Sequence, residues 1–512
     1  MELDFNQVLQ NLTIQGFFSE YLPPCFQLDK KILNYSPPKN CDLIAPYTYS
    51  MSRFNPGNDR RFISIPEIGS YLVTYAHFKK HDILKDLYDL CTQSKASFSP
   101  MLSTDGSIMT HEQSYLIPSQ KAKIEDKDAY SLYIDNVCKK ISISAGARKV
   151  LHLDIANCFS SFYMHMIPSI ILGYEKANEN YLLSVKDKYN SSIDTKYKIY
   201  ADLDSIVRRQ NLKRTNGLLI GTQYSKILIE GILCRIDEEL EQTHPELKYT
   251  RYVDDYDIYI FDGQRVDQVT SIFSNIFRKY GFDINSEKTE IEEYPFYVIS
   301  NLQKIYSQAN RSSMDKSALM KLFNYYLKLQ KEGTKGAVRF LLKSIEASPI
   351  NTEEKDLYRS YLLSILTNDT RSIIKACELL CKDDVKMSNE DINLVNNQLY
   401  YHLEENHDLE AVWLLYFLIK NNQIDDKTIK KVLEANNELA QILLLKNGYI
   451  QDNDIQFIVE KSSSWILIYE LYADGKMDEL VFVNKLNVDK NLNFYKELKS
   501  HAISFCCAIQ PH

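Results

Sequence analysis

Glycine and proline are both scarce in this 512-residue chain, which contains 15 and 14 of them. Such low contents exclude a repetitive fibre and argue against a long disordered linker. Hydrophobic residues make up 45% of the chain and charged residues 25%, the proportions of an ordinary folded protein. At about 100–200 residues per domain, the length allows two to four domains.

The chain also lacks an excess of positive charge. Its 60 basic and 68 acidic residues give a net charge of −8. Residues 311–512 contain 25 basic and 29 acidic side chains, which leaves 35 and 39 for residues 1–310, so each part carries a net charge of −4. Duplex nucleic acid is usually held by a basic surface. We therefore expect any nucleic-acid contact to use a local groove, or to be weaker than tight duplex capture.

The ten cysteines form no Cys-x-x-Cys pair and no cluster with histidine at zinc-ligand spacing, which predicts reduced core thiols. Residues 1–5 lack the basic start and apolar run of a signal peptide. The strongest apolar run, residues 411–419, is too short to span a bilayer. We expect a cytoplasmic protein without a membrane partner.

Two kinds of pattern divide the chain. Up to about residue 300, short β-branched and aromatic stretches typical of strands alternate with helical spacing such as that of residues 225–240. From about residue 311, helical periodicity dominates, in units of about 35–45 residues, the size of an α-solenoid repeat. The sequence predicts an α+β domain over residues 1–305 and an all-α helical-repeat domain over residues 306–512. The predicted strands include residues 150–155, 249–253 and 257–261.

Three acidic residues follow these strands. Asp254 and Asp255 lie between two strand-like stretches, which places them on the tight turn of a β-hairpin. Adjacent like charges repel, and divalent cations offset that repulsion, although a bare Asp-Asp pair also suits a solvated hairpin turn. Asp154 ends another predicted strand, where a carboxylate is costly to bury without a partner. Three such carboxylates can hold two Mg²⁺ ions, which activate an attacking hydroxyl and stabilise a pyrophosphate leaving group.

The order of motifs resembles the palm of reverse transcriptases. Asp154 with Phe159 resembles motif A, and Tyr-Val-Asp-Asp at 252–255 resembles motif C. The remaining matches are residues 215–225 with motif B, residues 281–289 with motif D, and residues 60–66 with the fingers segment whose arginine grips phosphates. The resemblance implies a reverse-transcriptase-like fingers and palm domain.

A narrower resemblance concerns residues 162–168, Phe-Tyr-Met-His-Met-Ile-Pro, which are similar to a signature of defence-associated enzymes. With its helical second part, the chain resembles the abortive infection (Abi) reverse transcriptases of the AbiK and AbiA type, and above all their shorter prophage-encoded relative. In that family a HEAT-like helical domain replaces the thumb. The resemblance implies phage defence by a homo-oligomer, trimeric or hexameric.

The same resemblance implies an unusual DNA polymerase. It uses dNTPs without a template and attaches the single-stranded DNA product covalently to one of its own tyrosines. Leu219 and Ile220 stand where motif B commonly has Pro-Gln, a departure compatible with relaxed template use. With 36 tyrosines the priming residue stays open. The candidates upstream of the fingers segment are Tyr21, Tyr35, Tyr47 and Tyr49.

The catalytic residues that the resemblance implies are Asp154, Asp254 and Asp255. Two ions of Mg²⁺ or Mn²⁺ are the expected cofactors. Asp255 is expected to ligate more weakly than the other two or to act through them. The metal set comprises Asp154, Ile155, Asp254 and Asp255.

Four nucleotide-binding residues are implied in the same way. Arg61 would contact the triphosphate, and Lys288 would stabilise the leaving pyrophosphate. Phe159 would lie under the sugar and exclude a 2′ hydroxyl, and Gly221 would let the backbone approach the nucleotide. Simpler interpretations stay open: a core aromatic for Phe159, a turn glycine for Gly221 and a solvated lysine for Lys288.

Several neighbouring residues carry weaker expectations. Arg60 is expected on the strand face opposite Arg61, and Asp257 is expected one pleat removed from Asp255, without a ligand role. A basic cluster precedes motif B and is interpreted either as a solvated helix face or as a groove for the nascent strand. This cluster consists of Arg208, Arg209, Lys213 and Arg214.

We therefore expect a nucleotidyltransferase of the abortive infection type. One alternative is a templated RNA-dependent DNA polymerase with an RNA partner. A second alternative is a helical-repeat scaffold that senses a phage component, with the palm as a nucleotide-binding module.

Overall fold

A computed structural model describes residues 3–38, 42–52, 60–99, 132–296, 302–309, 313–382 and 386–510. Within them, β1 (Tyr47–Ser52) and β2 (Arg60–Ile65) form an antiparallel pair. A separate antiparallel sheet has the strand order β4-β5-β3-β6. Its strands are β3 (Lys149–Asp154), β4 (Lys248–Tyr252), β5 (Asp255–Ile260) and β6 (Glu290–Glu293). The predicted strands at 150–155, 249–253 and 257–261 are confirmed within two residues at either end.

Ten helices are described in this first part. They are α1 (Phe5–Gln15), α2 (Ile68–His81), α3 (Ile83–Gln93), α4 (Leu132–Ile143), α5 (Cys158–Ser161), α6 (Ile167–Leu172), α7 (Tyr174–Lys186), α8 (Thr195–Gln210), α9 (Gln223–Thr243) and α10 (Val266–Lys279). Short 3₁₀ helices lie at Lys30–Asn34, Met164–Met166 and Ser286–Lys288.

The four-stranded sheet has one apolar face and one polar face. On the apolar face, Tyr249 and Tyr256 pack against Phe273 and Phe277 of α10, with ring centroids 5.3 Å apart for Tyr249–Phe273 and 5.1 Å apart for Tyr256–Phe277. Because side chains alternate along a strand, the neighbouring Asp255 lies on the opposite face. The aromatic core thus fixes which face carries the acidic residues.

The second part is entirely helical over its described residues. Its helices are α11 (Leu302–Ala309), α12 (Lys316–Lys331), α13 (Ala337–Ala347), α14 (Lys355–Asn368), α15 (Ile373–Lys382), α16 (Asn389–Glu404), α17 (Asp408–Lys420), α18 (Asp426–Glu434), α19 (Glu438–Lys446), α20 (Asp452–Lys461), α21 (Trp465–Ala473), α22 (Glu479–Leu486) and α23 (Leu492–Ser500). Alternate helices α11, α13, α15, α17, α19 and α21 pack side by side as an inner row. The expected domain border at 305/306 falls inside α11.

The inner row packs against the first part of the chain. Helix α17 contacts β1, and the indole of Trp413 donates a 2.7 Å hydrogen bond to the Tyr21 carbonyl. The indole of Trp465 donates a 3.2 Å hydrogen bond to the Ile65 carbonyl at the end of β2. This position explains the apolar run at 411–419, all of whose residues are buried. Among the helices of the described residues, none has the length and apolarity needed to cross a membrane.

Candidate active site

The sheet register brings two of the three aspartates face to face. Asp154 is the last residue of β3 and lies opposite Asp255, the first residue of β5. Tyr252 at the end of β4 pairs with Asp255, so Val253 and Asp254 form a two-residue turn. The three aspartates therefore lie together at one end of the strands, as the strand pattern predicted. We call this end of the sheet, formed by Asp154, Asp254 and Asp255, the carboxylate edge or sheet edge. Directly opposed like charges destabilise a sheet unless another group compensates them.

The electrostatics of this edge are those of crowded acids. Burial raises the pKa of Asp254, and the charge of Asp154 raises it further, whereas Lys288 and Arg61 oppose the shift. Reduced hydration, followed by the charges of Asp254 and Asp154, raises the pKa of Asp255 to about 7. Such perturbed carboxyls are frequent at functional sites, where burial and neighbouring like charges shift pKa values.

Asp154 is held by the segment that follows α10. Its carbonyl accepts a 2.8 Å hydrogen bond from the Asn285 amide, and its Oδ2 accepts a 2.9 Å bond from the Asn285 side chain. The Lys288 ammonium lies 2.9 Å from the same oxygen. Burial opposes the charged lysine, but the hydrogen bond to Asp154 and the neighbouring acids raise the pKa of Lys288. The structure thus brings Lys288 to the carboxylate edge, with its side chain 54% exposed.

Arg60 and Arg61 lie on different faces of β2. The Arg60 guanidinium contacts Glu410 of α17 at 2.5 Å and donates a 3.0 Å hydrogen bond to Ser50. Arg61 is exposed, and its charge opposes the raised pKa of Asp254, so it faces the carboxylate edge. Of these two arginines, Arg61 is therefore the one available for a ligand at that edge.

Gly221 makes a close approach to β2. Its φ is 129°, and a Cβ atom there would lie 2.7 Å from Ile63 Cγ2 and 3.0 Å from the Ser64 carbonyl oxygen. The Ser64 amide also donates a 2.7 Å hydrogen bond to the Ile220 carbonyl. This packing alone requires glycine, so the nucleotide role of Gly221 stays a prediction.

Phe159 lies beside the segment that resembles motif B. Its carbonyl accepts a 2.9 Å hydrogen bond from the Leu218 amide, and the Phe162 carbonyl accepts a 2.9 Å bond from Gly217. Phe159 is half-buried and packs against the core. Both the gate and the core interpretations of this ring remain compatible with its position. Ile155, the remaining residue of the expected metal set, is buried, and its amide donates to the Asp254 carbonyl at 3.2 Å.

An open cleft of about 370 Å³ lies between the β1–β2 pair and the segment before α9. The exposed Phe62 ring, 62% accessible, forms one wall, and Asn211 and Arg214 lie on the other. Within the basic cluster, Arg208 donates to buried Asp204 at 2.8 Å, whereas Lys213 and Arg214 are exposed. The cluster is therefore divided between a structural role and a surface beside this cleft.

Asp257 lies one row along the same sheet face and is fully engaged. Its carboxylate accepts a 2.7 Å hydrogen bond from His152 and pairs with Lys140 at 2.5 Å. Burial opposes ionisation, but these two partners hold the pKa of Asp257 below its ordinary value. This pairing explains why Asp257 is not part of the carboxylate edge.

Two further contributors were not expected from the sequence. Asn285 lies inside the segment that resembles motif D, so the motif could have indicated it as a partner of Asp154. Ser99 lies in no recognisable sequence motif. Its hydroxyl nevertheless accepts a 2.5 Å hydrogen bond from the Val253 amide in the aspartate turn.

The donors at this edge determine whether a metal ion fits there. The strand register brings the three aspartates together, but in the described part of the chain no three His, Cys, Asp or Glu side chains, these included, are arranged to hold a metal ion. Asp154 instead forms an ion pair with Lys288 and accepts a hydrogen bond from the Asn285 side chain. The chemistry of the donors nevertheless suits hard divalent cations, because such ions prefer oxygen ligands and three carboxylates share one edge. Two of these carboxylates, Asp254 and Asp255, have raised pKa values.

Part of the chain matches a known protein family. Residues 91–299 match the family described as "Reverse transcriptase (RNA-dependent DNA polymerase)". No curated protein matches the sequence.

Among solved structures, the chain is similar to apo telomerase from Candida tropicalis, with 14% identity and a TM-score of 0.36, over 74% of this chain and 70% of that one. It is also similar to telomerase from Candida albicans bound to a fragment of telomeric RNA, with 14% identity and a TM-score of 0.29, over 76% of this chain and 65% of that one. A third similarity is to the RNA-bound telomerase from Candida tropicalis, with 11% identity and a TM-score of 0.30, over 74% and 65% of the two chains. The chain thus spans about two thirds of the length of these proteins.

Proposed function

We propose that the reverse transcriptase domain carried by this chain is an active DNA polymerase that joins dNTPs by nucleotidyl transfer. The observation that carries the proposal is the convergence of Asp154, Asp254 and Asp255 at one sheet edge. The match of residues 91–299 to the reverse transcriptase family supports it. Fold and family alone would be weaker grounds, because one fold can serve many functions.

Each residue at the edge has a role in this proposal. Asp154 and Asp254, with Asp255 and the Ile155 backbone, would hold two ions of Mg²⁺ or Mn²⁺. Bound ions would supply charge stabilisation to the attacking and leaving oxygens.

The nucleotide itself would be held by side chains around this edge. Arg61 is exposed and faces the carboxylates, so its planar guanidinium could bind the triphosphate in a bidentate manner. Lys288 already lies at Asp154 and carries a stable positive charge for the leaving pyrophosphate. Phe159 would contact the sugar and disfavour ribonucleotides, and the role of Gly221 would be to keep the motif B segment against β2.

We further propose that synthesis needs no template, begins on a tyrosine of the protein and serves phage defence, as the abortive infection resemblance implies. The balanced acidic charge supports weak duplex binding, and Leu219 with Ile220 supports relaxed template use. The product would be single-stranded DNA covalently attached to a cytoplasmic homo-oligomer. Tyr49 is fully buried in β1, so it is removed as a priming candidate, and Tyr21, Tyr35 and Tyr47 remain.

The test is incubation of purified protein with labelled dNTPs and Mg²⁺ or Mn²⁺ without template, followed by denaturing electrophoresis. We expect label that migrates with the protein and survives denaturation. The double variant Asp254→Asn, Asp255→Asn should abolish it. The matched control Asp262→Asn should not, because Asp262 is an exposed aspartate paired with Arg148. Absence of incorporation by the wild type under all conditions contradicts the proposal.

A templated RNA-dependent DNA polymerase is the second candidate. The open cleft beside Phe62 and Arg214 favours it, because an exposed ring next to a cation suits a single strand with stacked bases. In the same assay, this candidate predicts free labelled DNA whose sequence follows an added or co-purified RNA. Protein-bound label without RNA would exclude it.

A further inference from the structure

Val253, the residue before Asp254 in the turn, has hydrogen bonds at both its amide and its carbonyl group. The Val253 amide donates a 2.5 Å hydrogen bond to Ser99 Oγ, and the Val253 carbonyl accepts a 2.9 Å bond from Arg251 Nη1. Val253 has a φ of 53°, in the left-handed region that a β-branched residue rarely adopts. Such a conformation persists only where the surroundings impose it.

Arg251 is itself fixed by two buried acids. Its guanidinium pairs with Glu230 at 2.9 Å and with Asp237 at 2.8 Å, and the side chains of Arg251 and Asp237 are fully buried. Glu230 and Asp237 lie seven residues apart on α9, which places them on one helix face. The guanidinium therefore joins the helix after motif B to the aspartate turn.

Ser99 belongs to a segment that lies along β4. The Arg251 amide donates to the Ala96 carbonyl at 2.8 Å, and the Phe98 amide donates to the Arg251 carbonyl at 2.7 Å. Ser97 Oγ donates a 2.6 Å hydrogen bond to Glu230, so the same segment also touches the acid that holds Arg251. Helix α9 and this segment thus converge on one residue of the turn, Val253.

We propose that Ser99, Glu230, Asp237 and Arg251 form a turn clamp, a set of positioning residues that fixes Val253 and so sets where Asp254 stands relative to Asp154. The clamp touches no expected substrate atom and acts through the turn. This inference rests on the proposed function, because the position of Asp254 matters only if it binds a cation used in nucleotidyl transfer. Loss of the clamp should weaken cation binding more than it weakens the fold.

The sharpest variant is Ser99→Ala, because it removes a single hydroxyl at the turn. Arg251→Met would leave two buried acids without their positively charged partner and unfold the protein, so it is not informative. Ser99→Thr retains the hydroxyl and serves as the conservative rescue. The matched control is Ser271→Ala, in which the lost hydroxyl donates to the backbone carbonyl of Asp267 on the surface of α10.

Three quantities are measured for each variant of the full chain. Binding of Mn²⁺ alone is followed by electron paramagnetic resonance, dNTP incorporation is titrated with Mn²⁺, and the thermal midpoint is recorded in EDTA. We expect Ser99→Ala to weaken Mn²⁺ binding about tenfold, the equivalent of one lost hydrogen bond, with a midpoint close to that of Ser271→Ala. Ser99→Thr should restore binding.

A second variant tests the other half of the clamp. Arg251→Lys keeps the charge but loses the fork that reaches both acids and the Val253 carbonyl. We expect weaker Mn²⁺ binding than in Arg148→Lys, where the arginine is 69% exposed. Mn²⁺ binding by Ser99→Ala and Arg251→Lys equal to that of the controls would overturn the clamp, as would equal losses in Ser99→Ala and Ser99→Thr.

The outcomes separate this inference from the proposed function. Wild-type protein that binds Mn²⁺ but incorporates no dNTP refutes the proposed function, and the binding data alone then decide the clamp. Wild-type protein that binds no Mn²⁺ overturns both.

Discussion

The sheet domain and the helical region both contain buried acids, but the partners of these acids differ between the two regions. In the helical region, Glu470 is completely buried and receives Lys446 at 2.5 Å, the Ser504 hydroxyl at 2.9 Å and the Phe505 amide at 2.6 Å. Its carboxylate is thus satisfied by the protein itself. Buried charges normally need such a full set of partners.

At the sheet edge, three carboxylates crowd together, and the cation seen there is the half-exposed Lys288 on Asp154. The pKa of Asp255 rises to about 7 because its charge meets reduced hydration and two like charges. The comparison teaches that Glu470 is satisfied by partners within the fold, whereas the sheet acids lack such a set and their negative charge is disfavoured, so that a bound cation would favour their charged form. The two groups should therefore respond in opposite ways to mutation and to added cations.

The largest expected effect is on activity at the sheet edge. Asp154→Asn removes one carboxylate from the group that would hold the cations, so we expect dNTP incorporation to fall at least about a thousandfold, or about 4 kcal/mol. The fold should survive, because the change also relieves repulsion. Incorporation rates and the thermal midpoint in EDTA check this, with Asp262→Asn as the control. Full activity of Asp154→Asn would remove the sheet edge from the reaction.

The next effect is on stability in the helical region. Glu470→Ala leaves the buried Lys446 without its closest partner, so we expect a loss of about 3–5 kcal/mol in the free energy of unfolding. Incorporation per folded molecule should stay unchanged. Urea denaturation measures the loss, and Glu460→Ala on the exposed face of α20 is the control. A loss of Mn²⁺ binding in folded Glu470→Ala would show that the two regions are not separable in this way.

The sequence allowed the sheet edge to be predicted because its information is local. Asp154, Asp254 and Asp255 each lie at the end of a short strand, and strand pairing then brings them together. The contact between Arg60 and Glu410 joins residues 350 positions apart, and nothing in either neighbourhood indicates it. The role of the clamp residue Ser99 could not be predicted either, because a single serine in a loop forms no sequence pattern.

The helical region shows a different limit of sequence analysis. Helices with one apolar face were recognised from their periodicity. The apolar run at 411–419 was predicted to be helical and too short for a membrane, but it has no polar face, because α17 lies between other helices and β1. Its partners could not be inferred, since burial on every side leaves no direction in the pattern.

A smaller effect concerns the pH dependence of the helical region. His402 is buried with its Nδ1 2.9 Å from that of His407, and burial first, then the charges of His407 and Arg60, lowers the pKa of His402 to about 3. The folded state therefore keeps His402 neutral, whereas the unfolded chain protonates it near pH 6.5. Stability is fully present above about pH 6.5 and is lost as the pH falls towards 3.

This titration should lower the free energy of unfolding by about 1.6 kcal/mol between pH 6.5 and pH 5, at up to about 1.4 kcal/mol per pH unit. Urea denaturation at the two pH values measures it. His402→Leu should remove most of the dependence, and the remainder belongs to His407, whose pKa burial also lowers. The exposed His501→Leu should leave it intact. An unchanged slope in His402→Leu would contradict the assignment.

The smallest expected effect is stabilisation by the cation itself. A ligand at ten times its dissociation constant adds about 1.4 kcal/mol to a folded protein, which for a chain of this size corresponds to a rise of roughly 1–3 °C in the thermal midpoint. Because crowding of the sheet acids disfavours their charged forms and a bound cation would relieve it, Mg²⁺ should slow hydrogen exchange in β3, β4 and β5 but not in α19 and α21. Asp154→Asn should abolish the protection and Glu470→Gln should preserve it. Equal protection of both regions would mean that the cation acts on the protein as a whole, and the distinction between the two sets of acids would then be wrong.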